Sequence, residues 1–176
     1  MASPIRPGSA PVTPPRPTGK NITVLGDSVT VAGAPALLAR WHGIEIDAQV
    51  GAQLWDAPAQ IAHLRAENEL RPYVVVALGT NGDVADGVLA SVVRAAGPGH
   101  WFVFVTAHGA RSWIPPVDRR IRAFAASTHD VALADWDAAA PQVRDFADDG
   151  IHPGPQGGAV FAATIAQALD RLAARR

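Results

Sequence analysis

Hydrophobic and polar positions along this chain switch repeatedly between a period of two and a period near four. Ile22-Thr23-Val24-Leu25 is a short β-branched run that ends at Gly26, and a helix-compatible stretch follows it to Arg40. Ile44, Ile46, Ala48 and Val50 alternate with polar residues, which is strand periodicity. A second helical stretch, from about Ala57 to Leu70, puts Ala57, Ile61 and Leu64 on one face. Tyr73 to Leu78 is continuously apolar, as expected of a strand buried on both sides. A helix (about 85–96), a strand (101–105), a helix (117–127) and a strand (131–134) follow. The last helix runs from about Gln156 to Ala173 with Phe161, Ile165, Leu169 and Leu172 on one stripe.

Strands that alternate with helices through short connections predict a three-layer α/β/α sandwich around a five-stranded parallel sheet. Ligands in such folds bind beyond the carboxyl ends of the strands, so chemistry is expected there. No internal repeat and no second domain is visible. Residues 1–20 differ, with Pro4, Pro7, Pro11, Pro14, Pro15 and Pro17 among Gly, Ser and Thr. Proline lacks a backbone donor, so this segment reads as an extended, flexible linker, or else as a disordered terminus of no consequence, ahead of a single domain at 21–176.

Composition narrows the function classes. The chain is 48% hydrophobic, enough to fill a core, and its 15 basic and 16 acidic residues leave a net charge of -1. That balance provides no field to concentrate nucleic acid or hold an anionic membrane. The absence of cysteine removes disulfides, thiolate metal sites and cysteine nucleophiles. No apolar run approaches the roughly 18 residues of a membrane span. Met1-Ala2-Ser3-Pro4 lacks the start of a signal peptide, so the chain reads as soluble, alone or as a piece of something larger.

Four strand ends carry candidate chemistry: Gly26-Asp27-Ser28, Gly51, Gly79-Thr80-Asn81-Gly82 and Asp148-Asp149-Gly150-Ile151-His152. A serine hydroxyl attacks only when a base takes its proton and donors hold the oxyanion. On a strand-to-helix turn Ser28 meets the exposure requirement, although serine in that place also serves as a helix cap. His152 precedes the final helix, and Asp149 is spaced to hold one imidazole nitrogen while the other faces Ser28. The alternative is a surface Asp-Asp-Gly turn beside an incidental histidine. The amide of Asn81 and the N–H of Gly51 are available as oxyanion donors; Asn-Gly is equally a favoured turn pair. Asp148 is given no catalytic role, and Asp27 is expected to tie neighbouring loops. His108 and Trp113 follow the fourth strand near the cleft, as candidate substrate contacts. Trp113 can stack on a sugar or pack its loop down. The remaining histidines show no ligand spacing, and no metal or cofactor is expected.

These blocks, in this order, resemble those of the SGNH (GDSL-like) hydrolases over nearly all of residues 21–170. The resemblance implies Ser28, Asp149 and His152 as a triad, with Ser28 N–H, Gly51 N–H and Asn81 as oxyanion donors. Ile22 to Val29, Val75 to Gly82 and Asp135-Trp136 are further similar to the extracytoplasmic SGNH domain of peptidoglycan O-acetyltransferases and related acyltransferase-3 proteins. That implies acyl, chiefly acetyl, transfer from an ester or thioester donor to a cell-wall or surface glycan. It also implies a cell-surface location and a membrane acyltransferase domain upstream of the Pro-rich linker. Thr106-Ala107-His108 replaces a polar Asn expected after the fourth strand, which points to a different acceptor. The alternatives are a carbohydrate or lipid acylesterase, and a glycan-binding module without activity.

Overall fold

The computed structural model describes residues 13–175. Its centre is a five-stranded sheet, every pair parallel, in the order β2-β1-β3-β4-β5. The strands are β1 (Ile22–Gly26), β2 (Glu45–Ala48), β3 (Tyr73–Ala77), β4 (Trp101–Val105) and β5 (Val131–Ala134). Every residue of β1, β3 and β4 is buried, which is why β3 and β4 are apolar without alternation and β1 has Thr23 as its one polar side chain. β2 is an edge strand and is only partly covered.

The helices are α1 (Ser28–Arg40), α2 (Ala57–Ala66), α3 (Val88–Ala96), α4 (Ile114–Ser127), α5 (Trp136–Ala139) and α6 (Pro155–Ala173). One core joins α1, α5 and α6 to Ile22, Val24, Val75 and Val103 on one face of the sheet. The other joins α2, α3 and α4 to Leu25, Val74, Val76, Phe102 and Phe104 on the opposite face. Successive strand residues feed opposite cores, as the pleat requires. The expected three-layer α/β/α fold is therefore the observed one.

Sequence and structure differ at element ends. α2 stops at Ala66 rather than Leu70, because Asn68 takes a left-handed φ of 58° and the Glu69 and Leu70 N–H groups both turn back to the Leu64 carbonyl. α3 starts at Val88, after Gly87 at φ 84°, rather than at 85. α4 starts earlier than expected, with Pro115 and Pro116 in its first turn, where the missing N–H costs nothing. β2 ends at Ala48, and Val50, grouped with that strand by alternation, is instead 79% exposed in the following loop.

Two features of the packing position the site. The order 2-1-3-4-5 has its switch point between β1 and β3, where ligands gather in doubly wound sheets. In addition, α1 and α6 lie against each other through small residues. A Cβ at Gly33 would stand 3.0 Å from the Phe161 ring, and one at Gly158 would stand 3.5 Å from Gly33 Cα. That approach brings the first residue of α1, Ser28, beside the loop that ends at α6.

Residues 1–12 of the expected linker lie outside the described residues. Residues 15–20 are fastened to the domain: Tyr73 Oη donates to the Pro15 carbonyl, and the Arg71 guanidinium to that of Gly19. Tyr73 opens β3, so this anchorage is at the end of the sheet opposite the strand exits.

Candidate active site

The β1–α1 junction fixes the serine. Gly26 has no room for a side chain, because a Cβ there would stand 2.2 Å from Thr30 Oγ1. Asp27, 1% exposed, is the N-cap of α1, and its Oδ1 accepts from Val29 N at 2.9 Å. Its Oδ2 accepts from Thr80 N at 3.3 Å, and its own N–H donates to the Ala77 carbonyl at 3.1 Å. Burial pushes this carboxyl above the usual range, opposed by the Val29 and Thr80 bonds. Capping is thus the work of Asp27. Ser28 is the first helical residue, and its N–H is one of those that helix geometry leaves unpaired, at the positive end of the α1 dipole.

The histidine loop is built around one carboxylate. Asp149 Oδ1 accepts from Ile151 N at 2.9 Å and His152 N at 3.1 Å, while Oδ2 contacts His152 Nδ1 at 2.6 Å. Gly150, at φ 66°, makes the tight turn that allows one side chain to reach all three. The Ile151 N–H first, and then His152, hold this carboxyl well below the usual range, at about 2. His152 Nε2 is 2.8 Å from Ser28 Oγ. With Nδ1–H given to the carboxylate, Nε2 faces the hydroxyl as an acceptor, and the three groups form one continuous line. Such a line can pass the hydroxyl proton to the imidazole and stabilise the resulting cation.

Asn81 and Gly51 stand on neighbouring loops that are tied together: Asn81 Nδ2 donates to the Ala52 carbonyl at 3.2 Å. A carboxamide has two N–H donors, so this bond leaves one for a ligand. Gly51 has φ 81°, and nothing lies within 4 Å of where a Cβ would be. Trp113 donates its indole N–H to the Thr80 carbonyl at 2.9 Å, which clamps the β4–α4 loop to the β3 exit. His108 stacks on Phe146, and its Nδ1 is 2.9 Å from Asp137 Oδ1. Arg122 bridges Asp137 and Asp135, and this pairing holds Asp135 below the usual range.

Three further residues shape the site without a sequence signal that singles them out. Asp145 accepts from the N–H groups of Gln156 and Gly157 and so anchors the histidine loop to the start of α6. Trp55, on the β2–α2 loop, leans on Gly82. Asp118, 1% exposed, accepts from Ala107 N at 2.8 Å and holds the β4 exit. Burial raises its carboxyl to about 6. The folded protein therefore binds a proton more tightly than the unfolded chain, and Asp118 costs stability as pH rises from about 4 to 6. Asp118→Asn keeps the acceptor oxygen. Its stability relative to the parent should rise over that window, by on the order of 2 kcal/mol, and stay level above it, as read by urea unfolding at several pH values.

Among the described residues no group of three or more His, Cys, Asp and Glu side chains could hold a metal ion. A cavity of about 550 Å³ beside α5 and α6, lined by Gln142, Gln156, Gln167 and Arg171, lacks Ser28 and His152. The Ser28–His152–Asp149 line is open instead, with the His152 side chain 37% and the Asp149 side chain 39% exposed.

No family model matches the chain. It is 28% identical over 156 residues to a Bacillus subtilis (strain 168) protein named "Putative peptidoglycan O-acetyltransferase YrhL". That match covers 88% of this chain and 24% of the relative, so the chain spans about a quarter of that protein's length. Among solved structures it is similar to the C-terminal catalytic domain of Streptococcus pneumoniae peptidoglycan O-acetyltransferase A, determined with a methylsulfonyl adduct. The TM-score is 0.77 at 26% identity, covering 86% of this chain and 93% of that one. A serine-to-alanine mutant of an acetyl esterase, solved with acetate ion, shares the fold with TM-score 0.67 at 22% identity, over 86% and 97% of the two chains. The sheet order, the motif blocks and these likenesses together make the chain similar to the SGNH, or GDSL-like, hydrolases.

Proposed function

We propose that this domain transfers an acyl group, chiefly acetyl, to a glycan hydroxyl through an acyl-Ser28 intermediate. The observation that carries this reading is the unbroken line Ser28 Oγ, His152 Nε2, His152 Nδ1, Asp149 Oδ2, at 2.8 and 2.6 Å. His152 takes the Ser28 proton as Oγ bonds to the carbonyl carbon of an ester or thioester. The oxyanion is held by the N–H groups of Ser28 and Gly51 and by the amide of Asn81. Collapse expels the donor's alcohol or thiol, which takes the proton back from His152. A glycan hydroxyl, deprotonated by His152, then attacks the acyl-serine, and Ser28 recovers its proton. His108, with Nδ1 engaged by Asp137, offers Nε2 to that acceptor; Trp113 contributes by holding the loop.

Supporting the glycan as acceptor is the likeness to peptidoglycan O-acetyltransferases by name. The same likeness supports a cell-surface location and an upstream membrane acyltransferase domain, joined through residues 1–20 to the catalytic domain at 21–176. No helix among the described residues is long and apolar enough to cross a membrane. Anchorage of residues 15–20 at the end of the sheet away from the strand exits fits such a tether, since the cleft then faces away from it.

Water is the competing acceptor. The exposure of His152 favours a second reading, an acylesterase, because nothing in the open line excludes solvent. Incubation with p-nitrophenyl acetate and an N-acetylglucosamine oligomer separates the two: acetylated oligomer supports transfer, and acetate alone supports hydrolysis. Release of neither would refute both. Asn81→Ala should lower kcat about 10²- to 10³-fold, or about 2.7–4 kcal/mol, with a smaller change in donor KM.

A further inference from the structure

Four large apolar side chains stand out as exposed among the described residues: Val31 and Leu38 on α1, and Val50 and Trp55 on the β2–α2 loop. The second pair brackets Gly51. Trp55 is 53% exposed, whereas Trp101 and Trp136 are 7% and 1% exposed. Trp113, the other tryptophan at the strand exits, has its N–H committed to Thr80.

The Trp55 ring has a fixed seat. A Cβ at Gly82 would stand 3.0 Å from Cζ3 and 3.2 Å from Cη2, so the six-membered edge of the indole rests on the bare backbone of Gly82. Gly82 follows Asn81, and the Asn81 amide is bonded to Ala52, in the loop that carries Trp55. The indole is thus coupled to both side loops of the oxyanion site. Beneath it, Leu54 is 2% exposed and roots the loop in the α2–α4 core.

Leaving half an indole in water forgoes stabilisation that burial would provide. Here the ring packs on Gly82 and stays half exposed at the strand exits, an arrangement that suits a recognition surface. Its neighbours decide the ligand. Gln49 and Asp56 are exposed in the same loop, so groups that bond hydroxyls accompany the flat apolar face along this segment. A sugar ring presents that combination, with one C–H face and an equatorial fringe of hydroxyls. An acyl chain on Ser28 has no use for the polar fringe. Position agrees: the sheet order puts the β2 exit on one side of β1, and those of β3, β4 and β5 on the other.

We infer that Trp55, seated on Gly82 in a loop that also exposes Val50, is a stacking platform for a pyranose ring of the glycan acceptor, next to the ring that receives the acyl group. This rests on the acyl-transfer reading and adds to it the residue that grips the acceptor. Bound there, the glycan runs across the strand exits from β2 toward His108 after β4. Adjacent strands are about 4.8 Å apart, so three steps give about 14 Å, room for more than one sugar.

The test is titration of the Ser28→Ala protein with N-acetylglucosamine tetramer, by calorimetry and tryptophan fluorescence. Trp55→Ala in that background should raise Kd about tenfold or more, and Trp55→Phe should raise it less. With Ser28 intact, Trp55→Ala should raise acceptor KM more than it lowers kcat. Leu38→Ser on α1, an exposed apolar change of similar kind, should leave Kd unchanged. An unchanged Kd in Trp55→Ala, with transfer to the tetramer persisting, would overturn the platform and leave the acyl-transfer reading intact. A rise in p-nitrophenyl acetate KM alone would also overturn it, by giving the ring to the donor. If the parent protein neither binds nor acetylates the tetramer, the transfer reading fails and the platform with it.

Discussion

Ser28→Ala is expected to lower acyl release from p-nitrophenyl acetate about 10⁴- to 10⁶-fold, the range seen when a triad nucleophile is removed. That loss corresponds to roughly 5–8 kcal/mol of barrier. It should leave folding untouched. Ser28 is not the cap of α1, since Asp27 accepts the Val29 N–H, and alanine suits a first helical turn. A thermal melt within a few degrees of the parent, beside lost activity, is the expected pair of results. If the melt falls sharply, Ser28 is structural, and the assignment of the nucleophile is wrong.

The second large effect is expected at Asp149, the proposed acid. Asp149→Asn should reduce kcat/KM roughly 10³- to 10⁴-fold, because an amide facing Nδ1 favours the wrong imidazole tautomer and leaves the cation unsupported. The neighbouring Asp148→Asn should stay within about twofold. A reversal of the two would transfer the acid's role to Asp148. The pH behaviour follows from the same contacts. Asp149 is held at about 2 by the Ile151 N–H and by His152, below its value in an unfolded chain. Its support of the loop is complete above about pH 4 and is lost only as pH falls toward 2. A profile of kcat/KM from pH 4 to 9 should therefore contain no limb from Asp149.

Periodicity revealed the fold because the strands that matter are buried on both faces: Tyr73–Ala77 and Trp101–Val105 are uniformly apolar, and each occupies the interior of the sheet. Element ends were less legible. The end of α2 depends on a left-handed Asn68 and two N–H groups sharing the Leu64 carbonyl, and no local pattern announces that. Val50 fitted an alternating run, but the ladder closes with the Gln49 N–H on the Gly26 carbonyl. The chain turns at Gly51 immediately afterwards.

At the site, the residues near in sequence were readable and those joined through space were not. Asp149 and His152 share one turn, so their spacing carries the geometry. The proximity of His152 to Ser28 depends on Gly33 and Gly158 letting α1 and α6 approach, which spacing cannot convey. Asp27 could be placed among neighbouring loops, but its double role, capping α1 and holding Thr80, appears only in three dimensions. Asp145 and Asp118 bond backbone groups eleven residues or more away along the chain, and carboxylates of that kind look like any surface acid. Trp55 was hidden for another reason: exposure cannot be read from a residue type that is usually at least partly buried.

In the proposed reaction the acyl group passes through Ser28. Brief incubation with p-nitrophenyl acetate, an acid quench, and peptide mass spectrometry test it directly. The expected result is a single acetyl group on the peptide containing Ser28, located on that serine by fragmentation and absent from Ser28→Ala. Turnover with no modification of Ser28, or acetylation of another residue at the rate of turnover, would contradict it.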